Sequence, residues 1–133
     1  MHKKYMEAAY KEAVKAYKND EVPVGAVIVK DNKIISTGYN KKESTNLATA
    51  HAEIIAINKA CKKLKSWRLN DCEMYVTLEP CQMCLGAIKE ARIKKVYFLT
   101  KRDKINKIKT NKVKINLTNK SSNIISVFFK EKR

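Results

Sequence analysis

Two short stretches carry residues able to hold a metal ion and to move a proton, 51–53 (HAE) and 80–84 (PCQMC). Cysteines three apart at the start of a helix point to one side and can grip one ion together. A histidine from a neighbouring helix makes a third ligand. With His51, Cys81 and Cys84 as protein ligands, a fourth position is left for water, which marks a catalytic rather than a structural zinc site. Taken singly, CxxC also serves redox pairs and zinc ribbons, and His and Glu at a helix start often only cap it. The combination, with Pro80 directly before the first cysteine, selects the catalytic reading.

Neither remaining cysteine closes that fourth position. Cys61 lies about 15 Å along a continuous helix from His51. Cys72 begins the strand that leads to Cys81, and at about 3.3 Å per residue it is more than ~20 Å from the metal. Both read as small core residues. No spacing argument recruits His2. His51 and Glu53, two residues apart, point to opposite sides of a helix, so an ion beside the helix wall cannot meet both. It can meet both if the helix aims its N-terminus at the ion, and positive helix ends also favour thiolates. Zinc lowers the pKa of a water toward about 7. Glu53 can take its proton and deliver protons to a ring nitrogen and a departing amine.

These segments need a frame. Residues 3–18 predict an amphipathic helix, with Met6, Ala9, Tyr10, Ala13, Val14 and Tyr17 at three- and four-residue steps. Residues 22–29 and 33–39 predict a β-hairpin turning at Lys30, Asp31 and Asn32. A helix is expected from Thr49 to about Leu64, packing through Ile54, Ile55, Ala56 and Ala60. A strand at 73–78 leads to a third helix, opened by Pro80 and running to about Ala91, and 95–99 forms a further strand. Residues 113–117 (VKINL) alternate as a last strand of undetermined direction, and 121–130 predict a closing helix that packs Ile124, Ile125, Phe128 and Phe129. Strand, helix, strand, helix, strand from 33 to 99 is the pattern of parallel βαβ units. Both helices would then start at one sheet edge, beyond the carboxyl ends of the strands, where open α/β sheets place their sites.

A length of 133 residues and 44% hydrophobic content fit one soluble globular domain. No apolar run reaches the roughly twenty residues of a membrane span. The N-terminus lacks a signal-peptide core, and Glu7 and Glu12 suit a transit peptide poorly, so a cytoplasmic setting with reduced cysteines is expected. Lys and Arg number 29 against 13 acids, a net charge of +16, which favours a polyanionic partner through counterion release. A merely solvated basic surface is the plainer account. Biased codon usage explains the preference for Lys over Arg, but not the shortage of acids.

The signature H-x-E…P-C-x-x-C resembles that of the cytidine and nucleotide deaminase superfamily. Residues 21–27 (EVPVGAV), 38–40 (GYN), 49–54 (TAHAEI), 66–69 (SWRL) and 75–84 (YVTLEPCQMC) are similar to the bacterial-type tRNA adenosine deaminases. The similarity runs from the first helix to about Phe98 and resumes weakly at 124–130. It implies an α/β three-layer α-β-α fold, with a mixed sheet of about five strands and an N-terminal hairpin. It also implies one zinc-dependent deaminase domain over 1–133, acting as a homodimer on the wobble adenosine of a tRNA anticodon stem-loop. By position, His51, Cys81 and Cys84 match zinc ligands and Glu53 the proton shuttle. Asn40 matches the residue that hydrogen-bonds the target base, and Val24 one that packs against it. The plainer accounts are a strand-end turn for Asn40 and simple core for Val24.

The sequence departs from the family after Phe98. Residues 99–112 (LTKRDKINKIKTNK) are short and lack the family's glycines, and its acidic position falls on Arg102 or Asp103. Two other functions share parts of the pattern. A deaminase of a free base or nucleoside, such as guanine or cytosine, needs the zinc site but no basic surface. A non-catalytic RNA-binding subunit with structural zinc has no need of Glu53.

Overall fold

The computed structural model describes residues 2–101. The strand expected at 113–117, the helix at 121–130 and the Arg102/Asp103 position lie outside the described residues. The chain runs α1 (His2–Lys18), β1 (Gly25–Lys30), β2 (Lys33–Tyr39), α2 (Lys42–Thr45), α3 (Ala52–Leu64), β3 (Cys72–Leu78), α4 (Gln82–Glu90) and β4 (Lys95–Thr100). The sheet therefore has four strands among the described residues, where about five were expected. Its order is β2-β1-β3-β4.

β1 pairs antiparallel with both β2 and β3, whereas β3 and β4 are parallel. The expected βαβ reading from 33 to 99 needs one correction: β2 and β3 run the same way but are not neighbours, because β1 lies between them. A central strand must bury both faces, and β1 does so from Gly25 through Val29. The side chains alternate between two cores. Ala26 and Ile28 join Met74, Val76, Val96 and Phe98 under α3 and α4. Val27 and Val29 join Tyr75 and Leu99 under Tyr5, Met6 and Ala9 of α1. The result is the expected three-layer α-β-α arrangement.

The hairpin closes through Asp31 and Asn32, both at positive φ (51° and 62°), as a two-residue turn of this hand requires. Several boundaries moved. The first strand begins at Gly25, three residues later than expected. α3 starts at Ala52 rather than Thr49, and its buried stripe is Ala52, Ala56, Ile57 and Ala60, with Ile54 and Ile55 only half-buried. Pro80 precedes the N-cap Cys81 of α4 and does not open the helix itself. Cys72 is buried, and Cys61 is half-buried against the core. Short α2 was not anticipated.

α3 lies close on β2 because Gly38 lets it. A Cβ at Gly38 would sit 2.6 Å from the Ala52 carbonyl oxygen and 2.9 Å from the Ala56 nitrogen. Both are helix backbone atoms and cannot swing aside. Gly38→Ala is therefore expected to displace the start of α3 and to cost about 1–3 kcal/mol, in the range of overpacked sites. Thermal unfolding, with metal content read in parallel, checks this.

Candidate metal centre and active site

β2 and β3 run in the same direction, so the chain leaves both at the same sheet edge before entering α3 and α4. His51 is the N-cap of α3 and Cys81 the N-cap of α4, both with extended backbone (ψ 153° and 175°). Neither side chain caps its own helix. Both are thus free to face the gap between the two helix starts. Cys84, one turn into α4, is fully buried behind them.

The donor atoms of His51, Cys81 and Cys84 all lie within 4.8 Å of one another, and they form the one such group among the described residues. The Nδ1 atom of His51 is 3.7 Å from Cys81 Sγ and 3.5 Å from Cys84 Sγ. One imidazole nitrogen and one sulfur bound tetrahedrally to an ion at ordinary ligand lengths would be about 3.6 Å apart. His51 Nδ1 therefore stands from each sulfur at the separation that a shared ion requires, and it is the imidazole nitrogen placed to be the ligand atom.

Their proton chemistry is that of a cation site. A hydrogen bond from the Cys84 thiol, reinforced by His51, lowers the Cys81 thiol to about 3. Donation to Cys81, then burial and the neighbouring Glu53 carboxylate, push Cys84 up. His51 is raised, chiefly by its bond to Cys81. The three groups thus share protons among themselves, and a divalent ion would replace those shared protons. The helix N-termini add positive potential at the same place.

Glu53 occupies the first turn of α3 and is 2% exposed. Its side chain reaches Cys84, so it stands at the cluster without being one of its three close donors. Asn40 directly follows β2 at the same edge. Its backbone N–H bonds the Val24 carbonyl at 3.1 Å, and the next N–H, of Lys41, bonds the Ala50 carbonyl at 2.9 Å beside His51. Asn40 and Val24 are both buried, each 6% exposed.

His2 does not approach this centre. It bonds the Tyr75 hydroxyl and packs on Tyr97. There it lines a cavity of about 420 Å³ with Asp31, Asp71 and Lys94, beside the hairpin turn. Sequence reasoning missed Glu21, fully buried and bonded to Asn40 and to the start of α2. An acid just before a strand gives no periodic signal. A pointer lay in Pro23 and Val24, which continue the buried run toward it.

The sequence profile of the MafB19-like deaminases matches residues 1–133. The chain belongs to the MafB19-like deaminase family. Among its relatives, the tRNA-specific adenosine deaminase of Buchnera aphidicola (from Schizaphis graminum) is 44% identical over 142 residues, 97% of this chain and 94% of that protein. Further curated relatives match across 94 or 95 residues, 58% to 66% of their own length. A solved structure from a study of tRNA:A34 deaminases superposes with a TM-score of 0.83 at 37% identity, over 92% of this chain and 99% of that one. A guanine deaminase from Bacillus subtilis superposes with a TM-score of 0.73 at 44% identity, over 76% of this chain and 65% of that one. Both likenesses are to deaminases. They differ in what is deaminated.

Proposed function

We propose that this chain, as a single domain over 1–133, hydrolytically deaminates adenosine to inosine at the wobble position of a tRNA anticodon. The observation that carries the chemistry is the His51, Cys81 and Cys84 cluster with buried Glu53 beside it. Two sulfurs and an imidazole suit zinc, which when bound supplies the Lewis acidity that brings a water's pKa toward neutral. Glu53 then takes a proton from the attacking water and places it on the purine ring nitrogen beside C6. A C6–O bond forms. Glu53 carries the remaining proton of the new C6 hydroxyl to the amine, the C6–N bond breaks as C6=O forms, and ammonia leaves with inosine as the product. Asn40 has the donor and the acceptor suited to hydrogen-bonding the base, and Val24 offers an apolar contact.

The choice of tRNA rests on the likeness to tRNA-specific deaminases across 97% of the chain and on the +16 charge. No helix among the described residues is long and apolar enough to cross a membrane. A homodimer working in the cytoplasm completes the reading. Exposed Met83 on α4 and Leu47 before α3 offer apolar surface for a second copy, which sedimentation would detect. The guanine deaminase likeness favours a free purine as the second candidate substrate.

The deciding experiment incubates the purified chain with an anticodon stem-loop bearing adenosine at the wobble position and reads inosine by mass. Ammonia release from free guanine or cytosine is measured alongside. Inosine in the stem-loop is the expected result, and an unreactive stem-loop beside rapid release from a free base would reverse the choice. Stem-loop affinity should also fall by about tenfold or more between 50 and 200 mM salt, as several phosphate contacts imply. A flat salt titration would remove the electrostatic support for an RNA substrate.

A further inference from the structure

Glu21 lies in the connection between α1 and β1 and is fully buried. The deamination steps above do not use it. One carboxylate oxygen, Oε2, accepts the Ser44 backbone N–H at 2.7 Å, and Oε1 accepts that of Glu43 at 2.9 Å. These donors belong to the first turn of α2, whose own N-cap residue, Lys41, makes no side-chain cap. The two bonds give the carboxylate the partners that burial demands and fix its position tightly. The same Oε1 accepts from Asn40 Nδ2 at 3.4 Å, a longer bond that orients more than it binds.

A carboxylate flanked by backbone N–H groups can only accept. The Asn40 amide must therefore turn its NH2 group toward Glu21. Oδ1 is left on the other side of the amide, together with the second N–H. Rotating that amide by half a turn would exchange donor for acceptor and set Oδ1 against a carboxylate oxygen. Among the described residues, its other hydrogen bond is made by the backbone N–H to the Val24 carbonyl.

We propose that Glu21 is a positioning residue for base recognition, fixing which way the Asn40 amide faces through an anchor on the N-terminus of α2. The inference rests on the reading of Asn40 as base-binding, and the test separates the two. Stem-loop deamination is measured for Asn40→Ala, Glu21→Gln and the double variant, with thermal stability and metal content recorded for each. Glu21→Gln keeps the shape but places an NH2 group among donors. It is expected to lower kcat/KM by about tenfold, and Asn40→Ala by about a hundredfold. The double variant should then match Asn40→Ala within about threefold, because Glu21 acts through Asn40. A purely structural role would instead multiply the two losses. Should Glu21→Gln fail to fold, Glu21→Asp carries the same cycle with an acceptor-only group retained. Full activity of Asn40→Ala overturns the base-binding reading and this inference with it. An impaired Asn40→Ala beside an unimpaired Glu21 variant, or losses that multiply, overturns the role of Glu21 alone.

Discussion

Glu53→Gln is expected to lower kcat for inosine formation by at least about 10²–10⁴-fold, the usual weight of a positioned general acid–base. The variant should still bind one metal ion per chain. Gln is isosteric with Glu, so the buried first turn of α3 keeps its packing, while the group can no longer accept and return a proton. The three candidate metal donors are other residues, whose donor atoms lie within 4.8 Å of one another. Kinetics and metal analysis on the same preparation decide the matter. Retained kcat would show that another group moves the protons, and loss of the ion would show that Glu53 helps to hold it.

Removing the ion should cost both activity and stability. His51 and Cys81 begin two different helices, so an ion shared between them cross-links elements joined otherwise through the sheet and a modest α3–α4 contact. A ligand that binds only the folded chain stabilises it by about 4 kcal/mol at a thousand times its dissociation constant. Chelation is therefore expected to lower Tm by about 10 °C and to abolish turnover, with zinc restoring both. Cys84→Ala should reproduce the chelated state and resist rescue. A chelated chain with unchanged Tm and full activity would sink the proposed chemistry.

The chemistry was more legible in the sequence than the strand order. His51, Glu53, Cys81 and Cys84 stood out because ligand types at fixed spacings are local, and end-on helices followed from a gap of two residues. The position of β1 was written less directly. Its run VPVGAVIV is apolar at every position, the mark of a strand buried on both faces. Hairpin logic paired it with β2 but was silent on its other edge, which depends on the long-range partner β3. α2 escaped because four residues without an apolar stripe have no period, and their helix is held by Glu21 from outside. Glu21 escaped for the same reason: its importance lies in contacts about twenty residues away. Ile57 was missed where the helix stripe was drawn one position early.

Ser36, Gly38 and Asn40 are alternate residues on and just beyond β2, and so project to one side of it. Ser36 Oγ bonds the Ala56 carbonyl at 2.8 Å, Gly38 receives the helix backbone at Ala52, and Asn40 emerges beside the start of the same helix. The three work as a rail whose teeth set how far α3 has travelled along the sheet. Such a rail has no intermediate stops, since the next equivalent seat is two residues on, about 7 Å away. The spacing between Glu53 and the Asn40 amide is therefore quantised. Small stresses on the helix are met by an unyielding seat, and substrate range cannot drift by gradual sliding. It has to change by exchanging side chains around a fixed geometry.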